Sequence, residues 1–158
     1  MARLTPRFSA DRAVREYTEQ HYLPAAIAYH SRIANKGANV GPTADWRHGL
    51  DQKWASLRFG EVKIETHDGR HLFEVPLNFD ELDPKTVRVE LYADGVRGGA
   101  PVCQEMKILR QPAGTHGGSI YSAAVSAARP EADYTARVIP YRNGVAVPLE
   151  DARILWQR

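Results

Sequence analysis

The chain has 158 residues, a formal net charge of +2, and 43% hydrophobic against 25% charged residues. That length allows one domain, or a small helical unit beside a domain of about 100 residues, with enough apolar mass for a compact core. The arginines are scattered, so the clustered basic face expected of a nucleic-acid binder is missing and nucleic acid is not an expected partner.

Met1 to Arg7 reads as an extended, basic lead-in with no apolar segment of a signal peptide. No run of about 18 apolar residues occurs anywhere, so no membrane span is expected. Ser9 predicts a helix N-cap, and Asp11 places a negative charge in the first turn, where the helix dipole favours it. Val14, Tyr17, His21, Ala25 and Tyr29 recur at steps of three or four and share one helical face. Pro24 lacks the amide proton for a bond back to Gln20, which predicts a kink or break near Leu23 and helix again through Ala25 to Ala34. Asn35-Lys36-Gly37 supplies a stop, and Gly37 to Pro42 a loop. Thr43 is the expected cap of a second helix, Ala44 to about Arg58, with Trp46, Leu50, Trp54 and Leu57 on one stripe. Two tryptophans on such a stripe fit core or interface packing better than a sugar platform.

After Phe59-Gly60 the period changes to two. Glu61 to His67 and His71 to Phe79 read as strands around a tight Asp68-Gly69 turn. A two-residue turn sets His71 opposite Thr66 and His67 opposite Arg70, so the histidines form no matched pair and both are expected in solvent. Pro76 suggests an edge strand or a bulge. Thr86 to Tyr92 puts Val87, Val89 and Leu91 on one face and Arg88, Glu90 and Tyr92 on the other. Val102 to Arg110, Ser119 to Ala127, Tyr134 to Tyr141 and Arg153 to Gln157 follow as strands. Cys103, the single cysteine, excludes a disulfide framework, suits a cytoplasmic location and reads as a buried or half-buried small hydrophobe.

About seven strands with turn signals and no intervening helices predict an antiparallel β-sandwich. Asp133-Tyr134, at the start of the penultimate strand, resembles a tyrosine corner, whose hydroxyl bonds back to nearby backbone. The expected fold is therefore α+β: two helices over residues 1–58, then an immunoglobulin-like sandwich over 59–158. No phosphate loop, dinucleotide fingerprint or nucleophile elbow occurs, and no metal site is expected. Tyr92, Tyr121 and Trp156 are the candidate glucan contacts on the sandwich. Tyr17, Tyr22, Trp46 and Trp54 are the candidate interface residues.

Phe8-Ser9, Asp11-Arg12 and Glu16-Tyr17 resemble the segment FSSDRTIxEYA near the end of the catalytic fold in glycogen and α-glucan phosphorylases. Val14 to Tyr17 with His21 to Ala25 looks closer to the bacterial and archaeal subgroup, where something like FSTDRMVREYVERYYLPA recurs. Trp54, Val87 to Tyr92, Tyr134 to Tyr141 and Ile154 to Trp156 are similar to that subgroup's ending, so the resemblance runs from about Thr5 to Trp156. It implies the C-terminal region of an enzyme that transfers glucosyl units between α-1,4-glucan and phosphate, with pyridoxal phosphate on a lysine between two Rossmann-like domains. The cofactor-lysine motif lies upstream of the first helix, so no catalytic or cofactor-binding residue carries over and no cofactor is expected in this chain. Met1 would be internal to a longer protein or begin a truncated product. The implied partners are the parent's catalytic domains, with α-glucan and a second copy as further ones. The alternatives are a stand-alone carbohydrate-binding sandwich and a protein-interaction module.

Overall fold

The computed structural model describes residues 9–37, 40–111, 117–145, 147 and 151–158, and not the side chains of 32, 35–37 and 40. The chain divides into two units, Met1–Asp45 and Trp46–Arg158. The division falls inside a helix, because the second half of that helix carries core side chains of the sandwich, Leu50 among them.

In the first unit, helix α1 spans Ala10–Tyr17, and the Ser9 hydroxyl accepts the Arg12 N–H at 3.3 Å, as the capping residue predicts. A π-helical turn, Thr18–Tyr22, leads directly into α2, Leu23–Gly37. The expected break at Leu23 is therefore a change of hydrogen-bond spacing. The Leu23 N–H donates to Thr18 O, five residues back, and Pro24 follows it. A proline removes one donor and crowds the carbonyl four residues earlier, and a π turn absorbs both without ending the helix. Thr18 Oγ1 donates to Val14 O at 2.8 Å, a second local perturbation of the ladder. No residue of α1 or the π turn is buried, and Tyr17, Tyr22 and Ile27 are all exposed.

Helix α3 runs Val40–Lys53, starting earlier than expected. Pro42 is tolerated there because the first-turn amides of a helix have no intrahelical acceptor, and Thr43 lies inside the helix. A 3-10 turn, Trp54–Ser56, ends it.

The second unit holds nine strands among the described residues: β1 Arg58–Phe59, β2 Lys63–His67, β3 Arg70–Asn78, β4 Val87–Ala93, β5 Val102–Glu105, β6 Lys107–Arg110, β7 Gly118–Ser126, β8 Thr135–Pro140 and β9 Leu155–Trp156. All described pairings are antiparallel. One sheet has the order β1-β3-β7-β6, with β2 also on β3, and the other is β5-β4-β8-β9. The fold is α+β: helices, then antiparallel sheets sharing one core of Phe73, Val75, Leu77, Val89, Leu91, Val125 and Val138, with Leu50 and Leu57 packed in.

Alternation fixes which face is buried. Val87, Val89 and Leu91 are buried as expected, and so are alternate residues of β3, β7 and β8. The β2–β3 hairpin has the expected register, Thr66 opposite His71 and His67 opposite Arg70. Asp68 and Gly69 both have positive φ, +48° and +71°, as a type I′ turn requires.

The structure corrects or narrows three expectations in the strands. Pro76 lies on an interior strand rather than an edge, and of the two expected settings the bulge is the one found: residues 60–62 face only residues 75 and 76. The Pro76 carbonyl accepts the Gly60 N–H at 2.9 Å where β1 gives way to β2, so the missing proline donor faces the interruption. Gly60 suits this close approach, since a Cβ there would sit 3.0 Å from Pro76 Cβ. Val102 to Arg110 is two strands. Met106 between them is buried, and its N–H donates to Val89 O at 2.9 Å as the chain leaves one sheet for the other. His71 is buried rather than solvated. Its Nε2–H donates to Arg129 O at 3.0 Å, and Nδ1 hydrogen-bonds with Thr66 Oγ1 at 2.7 Å. His67 stays in solvent. Tyr134 makes the bond expected of a tyrosine corner, its hydroxyl donating to Ser126 O at 3.4 Å. No helix among the described residues is long and apolar enough to cross a membrane.

Candidate functional site on the outer face of the four-stranded sheet

The outward residues of β4 are Arg88, Glu90 and Tyr92, fixed by the same alternation that buries Val89 and Leu91. Antiparallel register sets Glu90 opposite Arg137 and Tyr92 opposite Thr135 on β8, and Arg137 opposite Trp156 on β9. These are the cross-strand neighbours that can touch.

Glu90 is 5% exposed although it lies on the outer face. Arg137 covers one side, with Nε and Nη2 donating to Glu90 Oε2 at 3.0 and 2.7 Å. Arg88 covers the other, with Nε 2.8 Å from Oε1 but without the alignment of a hydrogen bond. A carboxylate this deep is tolerable because two guanidiniums compensate its charge. The Arg137 guanidinium also lies over Tyr92, 4.6 Å from the ring centroid, and over Trp156 at 5.5 Å. Tyr92 and Trp156 meet edge to face with centroids 5.4 Å apart. Arg88 stacks on Tyr141 at 5.2 Å, so a ladder of alternating cations and rings crosses the sheet. Cys103, opposite Tyr92 on β5, is exposed rather than buried and accepts from Arg137 Nη2 at 3.6 Å.

Two open hollows flank Arg137. One, of about 410 Å³, is lined by Tyr92, Asp94, Asp133, Thr135, Arg137 and Trp156. The Tyr92 hydroxyl donates to Asp94 Oδ1 at 2.9 Å, and that bond to a carboxylate is the first cause raising the phenol's pKa above its ordinary 10.0. The second hollow, of about 440 Å³, is more apolar and has Arg88, Arg153, Tyr141 and Ile154 in its wall. Among the described residues no group of three or more His, Cys, Asp or Glu side chains is placed to hold a metal ion.

Of the candidate glucan contacts, the structure brings Tyr92 and Trp156 together and leaves Tyr121 elsewhere. Tyr121 is on the inward face of β7, packed 6.0 Å from Phe79, and burial pushes its phenol pKa up to about 12. It presents no ring face to a sugar. Of the candidate interface residues, Tyr17 and Tyr22 are exposed. Trp46 and Trp54 pack on the core of the second unit, and Trp46 Nε1 donates to Thr86 O at 3.1 Å. Sequence reasoning missed Arg137, Asp94 and Asp133. The alternation of β8 could have marked Arg137 as outward, but its place between two rings needed the pairing partners of β8.

No protein-family model matches the chain. The chain is 28% identical over 146 residues to the maltodextrin phosphorylase of Thermococcus litoralis. The match covers 89% of this chain and 17% of that protein, so the chain spans about a sixth of the curated relative it matches and is similar to one region of that phosphorylase.

Proposed function

We propose that the chain is the C-terminal accessory region of an α-glucan phosphorylase of the bacterial and archaeal type, and that it performs no chemistry alone. The observation that carries this reading is the reach of the similarity, which takes in 89% of the chain but only 17% of the maltodextrin phosphorylase. On this reading the parent enzyme, in the cytoplasm, moves glucosyl units between α-1,4-glucan and phosphate. Its pyridoxal phosphate is held by residues outside this stretch.

The role left to this region is to brace the catalytic domains. Val14, Tyr17, Tyr22, Leu23 and Ile27 are large apolar or aromatic side chains that stay exposed. Docking against a catalytic domain would remove that surface from water. The strand orders β2-β3-β7-β6 and β5-β4-β8-β9 correspond to the A-B-E-D and C′-C-F-G sheets of an immunoglobulin-like sandwich, which supports that fold for the second unit.

The test is in two parts. The reading frame upstream of Met1 should continue into a pyridoxal-phosphate lysine site. The purified chain, supplied with pyridoxal phosphate, phosphate and maltoheptaose, should release no glucose 1-phosphate. A stop codon closing that frame, or turnover by the isolated chain, overturns the proposal.

A further inference from the structure

We infer that the hollow beside Trp156 is a binding subsite for a neutral carbohydrate chain, and the choice of an α-glucan as that chain rests on the reading above. The wall combines what a sugar requires: two carboxylates to accept from ring hydroxyls, the Thr135 hydroxyl, the Arg137 guanidinium, and the Tyr92 and Trp156 rings for the C–H faces.

The wall is positioned before any ligand arrives. Tyr92 holds Asp94 through the 2.9 Å bond to Oδ1. Arg129 ties the two acidic loops together: its Nε donates to Asp133 Oδ2 at 2.8 Å and its Nη1 to the backbone carbonyl of Asp94 at 2.6 Å. The Arg129 carbonyl is itself fixed by His71 Nε2. Each carboxylate therefore spends one oxygen on orientation.

Charge narrows the ligand class. Arg137, the one cation among the described residues of the wall, is already paired with Glu90, and Asp133 is offset by Arg129, which leaves the Asp94 carboxylate beside the hollow to disfavour an anion. A cationic ligand would compete with the Arg137 guanidinium for its position over the two rings. A neutral polyhydroxyl chain carries no charge for either the guanidinium or the carboxylates to repel.

The experiment is affinity electrophoresis of the whole chain through gels containing glycogen, with a maltoheptaose titration followed by amide and indole chemical shifts. The expected result is retardation in glycogen and a shift of the Trp156 indole signal. Trp156→Ala and Asp94→Asn should each weaken maltoheptaose binding by about tenfold, the scale of one aromatic contact or one charge-assisted hydrogen bond. Tyr141→Ala, in the other hollow, should leave binding unchanged. Circular dichroism checks folding, and if Trp156→Ala does not fold, the isosteric Asp94→Asn decides. No retardation of the native chain, equal retardation of the variants, or a Trp156 shift with inorganic phosphate in place of the sugar overturns the subsite. Such a result leaves the accessory-region reading standing, because the reading frame and the turnover assay test that separately.

Discussion

At the scale of single residues, the most informative side chains are those whose chemistry conflicts with their position. Glu90 is a carboxylate at 5% exposure on a face that should be wet, and Arg88 and Arg137 account for it. Tyr121 is a phenol with its ring in the core, and its raised pKa has a consequence for alkaline stability. Between pH 10 and about 12 the unfolded phenol loses its proton while the folded one keeps it. The unfolded state then binds fewer protons, so stability is fully present below pH 10.0 and falls as pH rises toward about 12. Urea unfolding at pH 9 and at about pH 11 should show this loss, and Tyr121→Phe should reduce it. An identical loss in the variant would assign the effect to other tyrosines.

At the scale of elements, two strands and one helix were only partly legible. The capped start of α1, the Asp68-Gly69 hairpin with its register, and the buried face of β4 all follow from local rules, and the structure has them. Pro24 was legible as a perturbation but not as its outcome, since the same missing donor can break, bend or locally re-space a helix. The structure re-spaces it, with the Leu23 N–H bonded to Thr18 O. Pro24→Ala restores the donor for Gln20, so the π turn should revert to α spacing. Slowed exchange of the new amide at position 24, together with α-type amide contacts over residues 18–24, would establish it; a persisting π pattern would shift the cause to Thr18. The expected strand Val102 to Arg110 failed for a different reason. No glycine, proline or asparagine interrupts residues 102–110, and nothing local marks the residue at which the chain changes sheets.

At the scale of the whole molecule, helix α3 belongs to both units. Within α3, Leu50 is fully buried and Trp46 packs on the same core, as do Trp54 and Leu57 just beyond its end, so the helix's second half is part of the sandwich. Leu50→Ala should therefore destabilise the second unit by about 2–5 kcal/mol, the usual range for a buried leucine truncation. Tryptophan fluorescence during urea unfolding would report it, because all three tryptophans, Trp46, Trp54 and Trp156, lie in that unit. A change below about 1 kcal/mol, the size of an ordinary surface substitution or less, would mean that α3 only rests on the sheets.

The sequence by itself determined that helices come first and antiparallel strands follow, the cap at Ser9, the tight hairpin, and the alternation that buries one face of each long strand. These are local properties, set by side-chain volume, backbone preference and a period of two or 3.6 residues. Tertiary structure alone decided which strands are neighbours. From that came the burial of His71 under Arg129, the placing of Pro76 opposite a gap, and the loss of Tyr121 to the core. It also set Arg137 between Tyr92 and Trp156, side chains 45 and 19 residues away along the chain. A site assembled from three strands of one sheet is a property of their pairing, and pairing depends on packing free energies that no single segment carries.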